Sequence, residues 1–243
     1  MSFKTGIKKI VPAGCWHTLS NTYWWWRNRG QYVLTASLSP RRRQSIHTLA
    51  AYHNKHKGQR CFILGNGPSL RKTDLSLLEN EITFGLNRIY LLFPELGFST
   101  TYFTSVNTLV LEQCALEIQA LHMPKFLTWR SARYMKSDPG AIFIDSDYSL
   151  PENFVPQATG RIYEGFTVTY VALQLAFHMG FEEVILVGVD HNFVTRGPAN
   201  ETVVSEGDDP DHFTSGYFGA GFRWQLPDLE GSERAYEMAR VAY

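Results

Sequence analysis

The feature that most constrains the fold is a helix followed at once by an apolar strand. Residues 167–179 carry apolar side chains at Val168, Val171, Ala172, Leu175 and Met179, the spacing of one helix face. Gly180 supplies the residue that best ends such a helix. Residues 183–189 then form an apolar run rich in β-branched residues, which predicts a buried strand. Earlier segments repeat the theme. Short strands are predicted at 61–64, 82–85, 101–104, 125–128 and 141–144, with a helix over 108–121. Strands alternating with helices imply an α/β fold, a parallel sheet with helices on both faces. A further helix starts at Leu229 and continues to the last residue. A parallel domain usually returns to another strand, so a C-terminal piece beyond Tyr243 is expected.

The chain has 243 residues, a length that suits one large domain plus an extension at roughly 100–200 residues per domain. Hydrophobic residues make up 44% and charged residues 19%, which excludes a disordered chain. Lys plus Arg and Asp plus Glu both number 23, and that balance argues against a nucleic-acid partner held by bulk charge. No apolar stretch approaches the roughly 20 residues that span a bilayer. Cys15, Cys61 and Cys114 are far apart, so neither a zinc site nor a disulfide framework is expected, and a cytoplasmic location follows.

Residues 1–58 differ from the rest and are expected to form an N-terminal helical extension, with the main domain at 59–243. The extension holds Trp24-Trp25-Trp26, Arg41-Arg42-Arg43 and a basic stretch at 53–58. Its plainer role is packing on the main domain. Tryptophans beside arginines also suit peripheral contact with an anionic membrane, here the inner membrane face.

Five segments could carry chemistry. Gly65-Asn66-Gly67-Pro68-Ser69-Leu70 follows the first strand, at the sheet edge where α/β folds bind ligands. Its glycines permit close backbone approach, its amides can cradle phosphate, and Ser69 adds a hydroxyl. It is neither a Walker A loop nor a GxGxxG fingerprint, and it also suits a ligand-free turn. Asn87 and Asn107 follow the second and third strands, on the same rim; carboxamides fit a base edge or a ribose, or simply cap turns. Thr167 and Thr169 stand at the start of the strongest helix, where an anion or an ordinary N-cap fits. Asp190 ends the 183–189 strand, followed by His191, and could orient a ribose or an acceptor hydroxyl. Asp208, Asp209 and Asp211 precede His212 in a polar loop. The histidine suits a general base, and the three aspartates would suit magnesium.

The glycine loop, Asn87, Asn107 in its Thr-Ser-Val-Asn-Thr-Leu context, and the Met-Gly-Phe-Glu-Glu-Val-Ile-Leu-Val-Gly-Val-Asp run together resemble the MptE-like group, named for archaeal 6-hydroxymethylpterin diphosphokinase. They are also similar to bacterial CMP-sialic-acid-dependent sialyltransferases. The resemblance covers about residues 60–212. It implies a Rossmann-like nucleotide-binding fold, with Gly65, Asn66, Gly67, Asn87 and Asn107 around the nucleotide. It implies that Thr167-Val168-Thr169 partly matches the donor-binding turn and that His212 matches the base. The sialyltransferases place a tyrosine two residues after the aspartate that matches Asp190; here Asn192 stands there.

Three functions follow as expectations. The leading one is a nucleotide-dependent transferase, a glycosyltransferase using a CMP-type nucleotide sugar and a glycan or small-molecule acceptor in surface-polysaccharide biosynthesis, with no cofactor. The second is an ATP- and magnesium-dependent pterin diphosphokinase. The third is a catalytically silent nucleotide-binding scaffold module. A homo-oligomer is compatible with each.

Overall fold

The computed structural model describes residues 31–135 and 138–243. The tryptophan run and Cys15 lie outside the described residues. Two units are distinguished, one ending at Gln44 and one spanning Ser45–Tyr243. The described part of the first is helical: α1 covers Gln31–Leu38, and α2, Pro40–Tyr52, continues into the second unit.

The second unit is built on seven strands: β1 Arg60–Leu64, β2 Thr83–Leu86, β3 Tyr102–Ser105, β4 Lys125–Thr128, β5 Ala141–Asp147, β6 Arg161–Tyr163 and β7 Glu183–Val187. Their spatial order is β6-β5-β4-β3-β2-β1-β7, and every pairing is parallel. The helices are α3 Phe93–Leu96, α4 Thr108–Gln113, α5 Ala115–Gln119, α6 Val168–His178 and α7 Leu229–Ala242. A two-stranded antiparallel ribbon, β8 Thr202–Val204 and β9 Arg223–Gln225, stands apart from the main sheet.

Alternation of side chains along each strand divides the core between two faces. Ile63, Phe126, Ile142 and Ile144 pack with Leu49 of α2, with Tyr170, Val171 and Leu175 of α6, and with Ala235 and Ala239 of α7. Their neighbours Leu64, Leu127 and Phe143 pack on the opposite side with Val110 and Leu111 of α4, Ile118 of α5 and the short 3-10 turns. Both faces are therefore covered, as the strand–helix alternation predicts. Each fully buried Leu, Ile or Phe side chain contributes about 1.5–3 kcal/mol relative to exposure.

Helix α6 forms where periodicity places it. Thr167 caps it by accepting from the Thr169 amide, and Gly180, at φ +83°, turns the chain away so that Phe181 N–H donates to the Ala176 carbonyl. Three expectations are corrected. The helix over 108–121 is two helices, because Cys114 leaves the helical region (φ −111°, ψ 23°); the bend keeps Leu111 and Ile118 both buried. The strand over 183–189 ends at Val187, because Gly188 turns at φ +68°. That strand is also an edge: β7 pairs with β1 alone among the described residues, and Leu186 is 39% exposed. Strands β6, β8 and β9 are too short to announce themselves by pattern.

The topology positions one special place. From β1 the chain builds outward through β2 to β6. Helix α6 then carries it back to β7, on the other side of β1. The chain thus reverses its direction of travel at the β1/β7 boundary, and the carboxyl ends of these strands flank the crevice where open α/β sheets bind ligands. No helix among the described residues is long and apolar enough to cross a membrane.

Candidate functional site

The turn after β1 is held against the end of β7. Gly65 N–H donates to the Val187 carbonyl (2.8 Å) and Gly67 N–H to the Gly188 carbonyl (2.9 Å). A Cβ on Gly65 would lie 2.3 Å from the Gly188 carbonyl oxygen, and one on Gly67 would lie 1.9 Å from Asp190 Oδ2. The two glycines are required by the approach of the two turns themselves. Asp190 Oδ2 accepts from Ser69 N–H (3.0 Å) and Ser69 Oγ (2.7 Å). The Ser69 hydroxyl is therefore engaged with Asp190, and Ser69 does not line the cleft described next.

An open cleft enclosing about 160 Å³ lies at this point. Gly65, Asn66, Gly67 and Asn87 form one wall, and Thr167, Val168 and Thr169 at the start of α6 form another. Asp190, His191, Asp211 and His212 also line it. Asn66 Nδ2 donates to the Leu86 carbonyl (3.0 Å), while its buried Oδ1 has no partner among the described residues. Asn87 adopts a left-handed backbone (φ +49°), and its Oδ1 accepts from Ser105 Oγ (2.9 Å), leaving Nδ2 unengaged among the described residues. Asparagine is among the few side chains that tolerate this conformation. Among the described residues, the cleft wall thus carries an orphaned acceptor on Asn66 and an unengaged donor on Asn87 beside the N-terminus of α6, a set suited to a phosphorylated polar ligand.

Asn107 takes the other of its two roles. Its Oδ1 accepts from the Leu109 and Val110 amides as the N-cap of α4, and it does not line the cleft. Just before α6 and outside the cleft lining, Glu164 accepts from Ser146 Oγ (2.6 Å) and pairs with Arg130 (2.9 Å). Burial pushes its carboxyl pKa up, while Arg130 pulls it back.

The loop carrying His212 is pinned over the glycine turn. Phe213 N–H donates to the Asn66 carbonyl (2.9 Å), and Arg71 Nε donates to the Phe213 carbonyl (2.7 Å). His212 Nδ1 lies 2.9 Å from both oxygens of Asp209. The three aspartates do not form a cation seat. Asp211 accepts from Val194 N–H and from Thr195 N–H (3.2 Å) and Oγ1 (2.6 Å). Asp209 serves His212, and Asp208 is exposed. Among the described residues no group of three or more His, Cys, Asp or Glu side chains converges to hold a metal.

Several lining residues escape sequence reasoning. Ser232 and Tyr236 enter from α7, and Phe166 enters in a left-handed conformation (φ +64°). Burial raises the Tyr236 pKa, partly offset by hydrogen bonds with Thr167 and Thr169. The only sequence signal for α7 is its amphipathic helix pattern, which does not say which neighbour it meets.

A family model described as 6-hydroxymethylpterin diphosphokinase MptE-like matches residues 40–196. Among solved structures, the chain is similar to the MAf glycosyltransferase from Magnetospirillum magneticum AMB-1, with 18% identity and a TM-score of 0.48. That match covers 83% of this chain and 34% of the other, so this chain spans about a third of that protein's length. No curated protein sequence matches.

Proposed function

This chain belongs to the MptE-like family, and on that premise we propose that it is a nucleotide-dependent transferase. The donor is a nucleotide-activated sugar of the CMP type, the acceptor is a hydroxyl of a glycan or small molecule, and the setting is surface-polysaccharide assembly in the cytoplasm, at or near the inner membrane face. The observation that carries this reading is a shared cleft. His212, with no hydrogen-bond partner at Nε2 among the described residues, lines the same crevice as the glycine turn and the α6 N-terminus.

The geometry supports the following roles. Gly65 and Gly67 shape the turn that lines the nucleotide cleft, and Asn66 and Asn87 hold the nucleotide. Thr167 and Thr169 meet the phosphate, where the helix dipole and backbone donors favour negative charge. Asp190 acts by fixing the glycine turn through Ser69. His212 Nε2 takes the acceptor hydroxyl proton. The acceptor oxygen forms the bond to the sugar, and the sugar–phosphate bond breaks with its electron pair leaving on the nucleotide phosphate.

The name of the matching family favours a second reading, transfer of diphosphate from ATP to a pterin hydroxymethyl group. Magnesium would then neutralise phosphate charge. Asp208, Asp209 and Asp211 do not fit that ion, since their oxygens are engaged or apart.

Thermal-shift measurements with CMP, CDP, UDP and ATP, with and without magnesium, separate the readings. A ligand at 100 times its Kd adds about 2.7 kcal/mol of stability. Stabilisation by CMP without metal supports the first reading, and a magnesium-dependent ATP shift supports the second. No shift with any nucleotide overturns both. His212→Ala should abolish transfer and leave nucleotide affinity nearly intact.

A further inference from the structure

We propose that Asp209 is a positioning residue that sets the tautomer of His212, an inference that deepens the transferase reading and rests on it for its chemical purpose. An ionised carboxylate only accepts. Both Asp209 oxygens lie 2.9 Å from His212 Nδ1, so the ring proton sits on Nδ1. In the neutral ring the lone pair then belongs to Nε2, the atom a base needs. The carboxylate is itself held: its side chain is 5% exposed, and Oδ1 accepts from Asp211 N–H at 3.1 Å.

The ring cannot swing away from this carboxylate. It stacks on Tyr217 with centroids 3.9 Å apart and planes 3° from parallel, and Phe218 meets it edge-on at 4.9 Å. Tyr217 is anchored in turn, because the Arg88 guanidinium donates to its carbonyl and Arg88 N–H donates to its hydroxyl (3.3 Å). Arg88 directly follows Asn87 on the nucleotide wall. The orientation of the base is thereby tied to the rim that seats the donor.

During transfer the acceptor O–H bond breaks and its proton moves to Nε2. The oxygen bonds to the sugar of the nucleotide-sugar donor as the sugar–phosphate bond breaks toward phosphate. The imidazolium formed lies beside a carboxylate already in contact with its other nitrogen. General bases contribute typically 10²–10⁴-fold, and Asp209→Asn is expected to lose about that factor in transfer rate, with donor affinity unchanged.

The deciding experiment needs no substrate. Two-bond ¹H–¹⁵N correlation spectra of the ¹⁵N-labelled whole chain, at alkaline pH where the ring is neutral, report which ring nitrogen carries the proton. The expected result is an Nδ1–H tautomer for His212 in the wild type and a switch to Nε2–H in Asp209→Asn, whose amide can donate to Nδ1. A wild-type ring protonated at Nε2 overturns the proposal, and this arm stands even where the variant fails to fold. A folded Asp209→Asn protein that keeps the Nδ1–H tautomer also overturns it. Neither result touches the transferase reading, which fails separately when no nucleotide shifts the melting temperature.

Discussion

Asp190 Oδ2 accepts two hydrogen bonds from Ser69, one from its amide at 3.0 Å and one from its hydroxyl at 2.7 Å, across 121 positions of sequence. The contact ties the turn after β1 to the turn after β7, at the point where the strand order reverses. Hydrogen bonds to a charged group contribute about 1.5–3 kcal/mol. Asp190→Ala is therefore expected to lower unfolding free energy by about that amount and to weaken nucleotide binding through a loosened glycine turn. Urea titration and calorimetry with CMP check both. Unchanged stability with lost binding would instead make Asp190 a direct ligand contact.

Gly65 and Gly216 make opposite predictions for one substitution. At Gly65 an added methyl would meet the Gly188 carbonyl oxygen at 2.3 Å, and backbone cannot step aside cheaply. Nothing lies within 4 Å of a Cβ at Gly216. Overpacking costs about 1–3 kcal/mol, so Gly65→Ala should lower the melting temperature clearly and Gly216→Ala should hardly move it. Equal melting temperatures would show that β1 and β7 do not approach as described.

The two asparagines that look alike in sequence should behave differently. Asn107 caps α4, so Asn107→Ala should cost about 1 kcal/mol of stability and leave nucleotide affinity alone. Asn87 lines the cleft, and its Nδ2 is unengaged among the described residues. Asn87→Asp keeps the left-handed backbone and the acceptor for Ser105, but replaces a donor by negative charge. Its nucleotide affinity should fall by roughly tenfold or more, about 1.4 kcal/mol, with little change in melting temperature. Calorimetry on both variants separates the roles, and an affinity loss at Asn107 would return it to the site.

This contrast shows where the sequence was legible. Periodicity and turn residues mark α6, β1 and β7 because those signals are local: apolar spacing, a threonine cap, a glycine stop. The rim itself was legible too, since a parallel sheet puts residues 65, 87 and 190 at the same edge. Local signals do not state partners. Ser69 reads as a phosphate donor until Asp190 is found beside it. Asp209 reads as a metal ligand until His212 folds onto it. The apolar composition of β7 suits a central strand, yet it lies at the edge. Tyr236 reaches the cleft only because α7 packs on α6, a long-range contact without a mark in either segment.

His178 is buried on the core face of α6, with Nε2 donating to the Leu49 carbonyl at 2.8 Å and Nδ1 without a partner among the described residues. Burial lowers its pKa below the ordinary 6.5, and the His53 ring, 5.2 Å away, adds to the lowering. The folded state keeps the ring neutral while the unfolded chain takes up a proton. Stability from this site is thus fully present above about pH 6.5 and is lost as pH falls toward the depressed folded value. His56, lowered chiefly by burial, contributes in the same direction. His178→Gln retains a donor for Leu49 but has no proton to gain. Its unfolding free energy should fall less than that of the wild type between about pH 7.5 and about pH 5.5. Urea denaturation at those two values measures the difference, and parallel losses in the two proteins would place the acid sensitivity elsewhere.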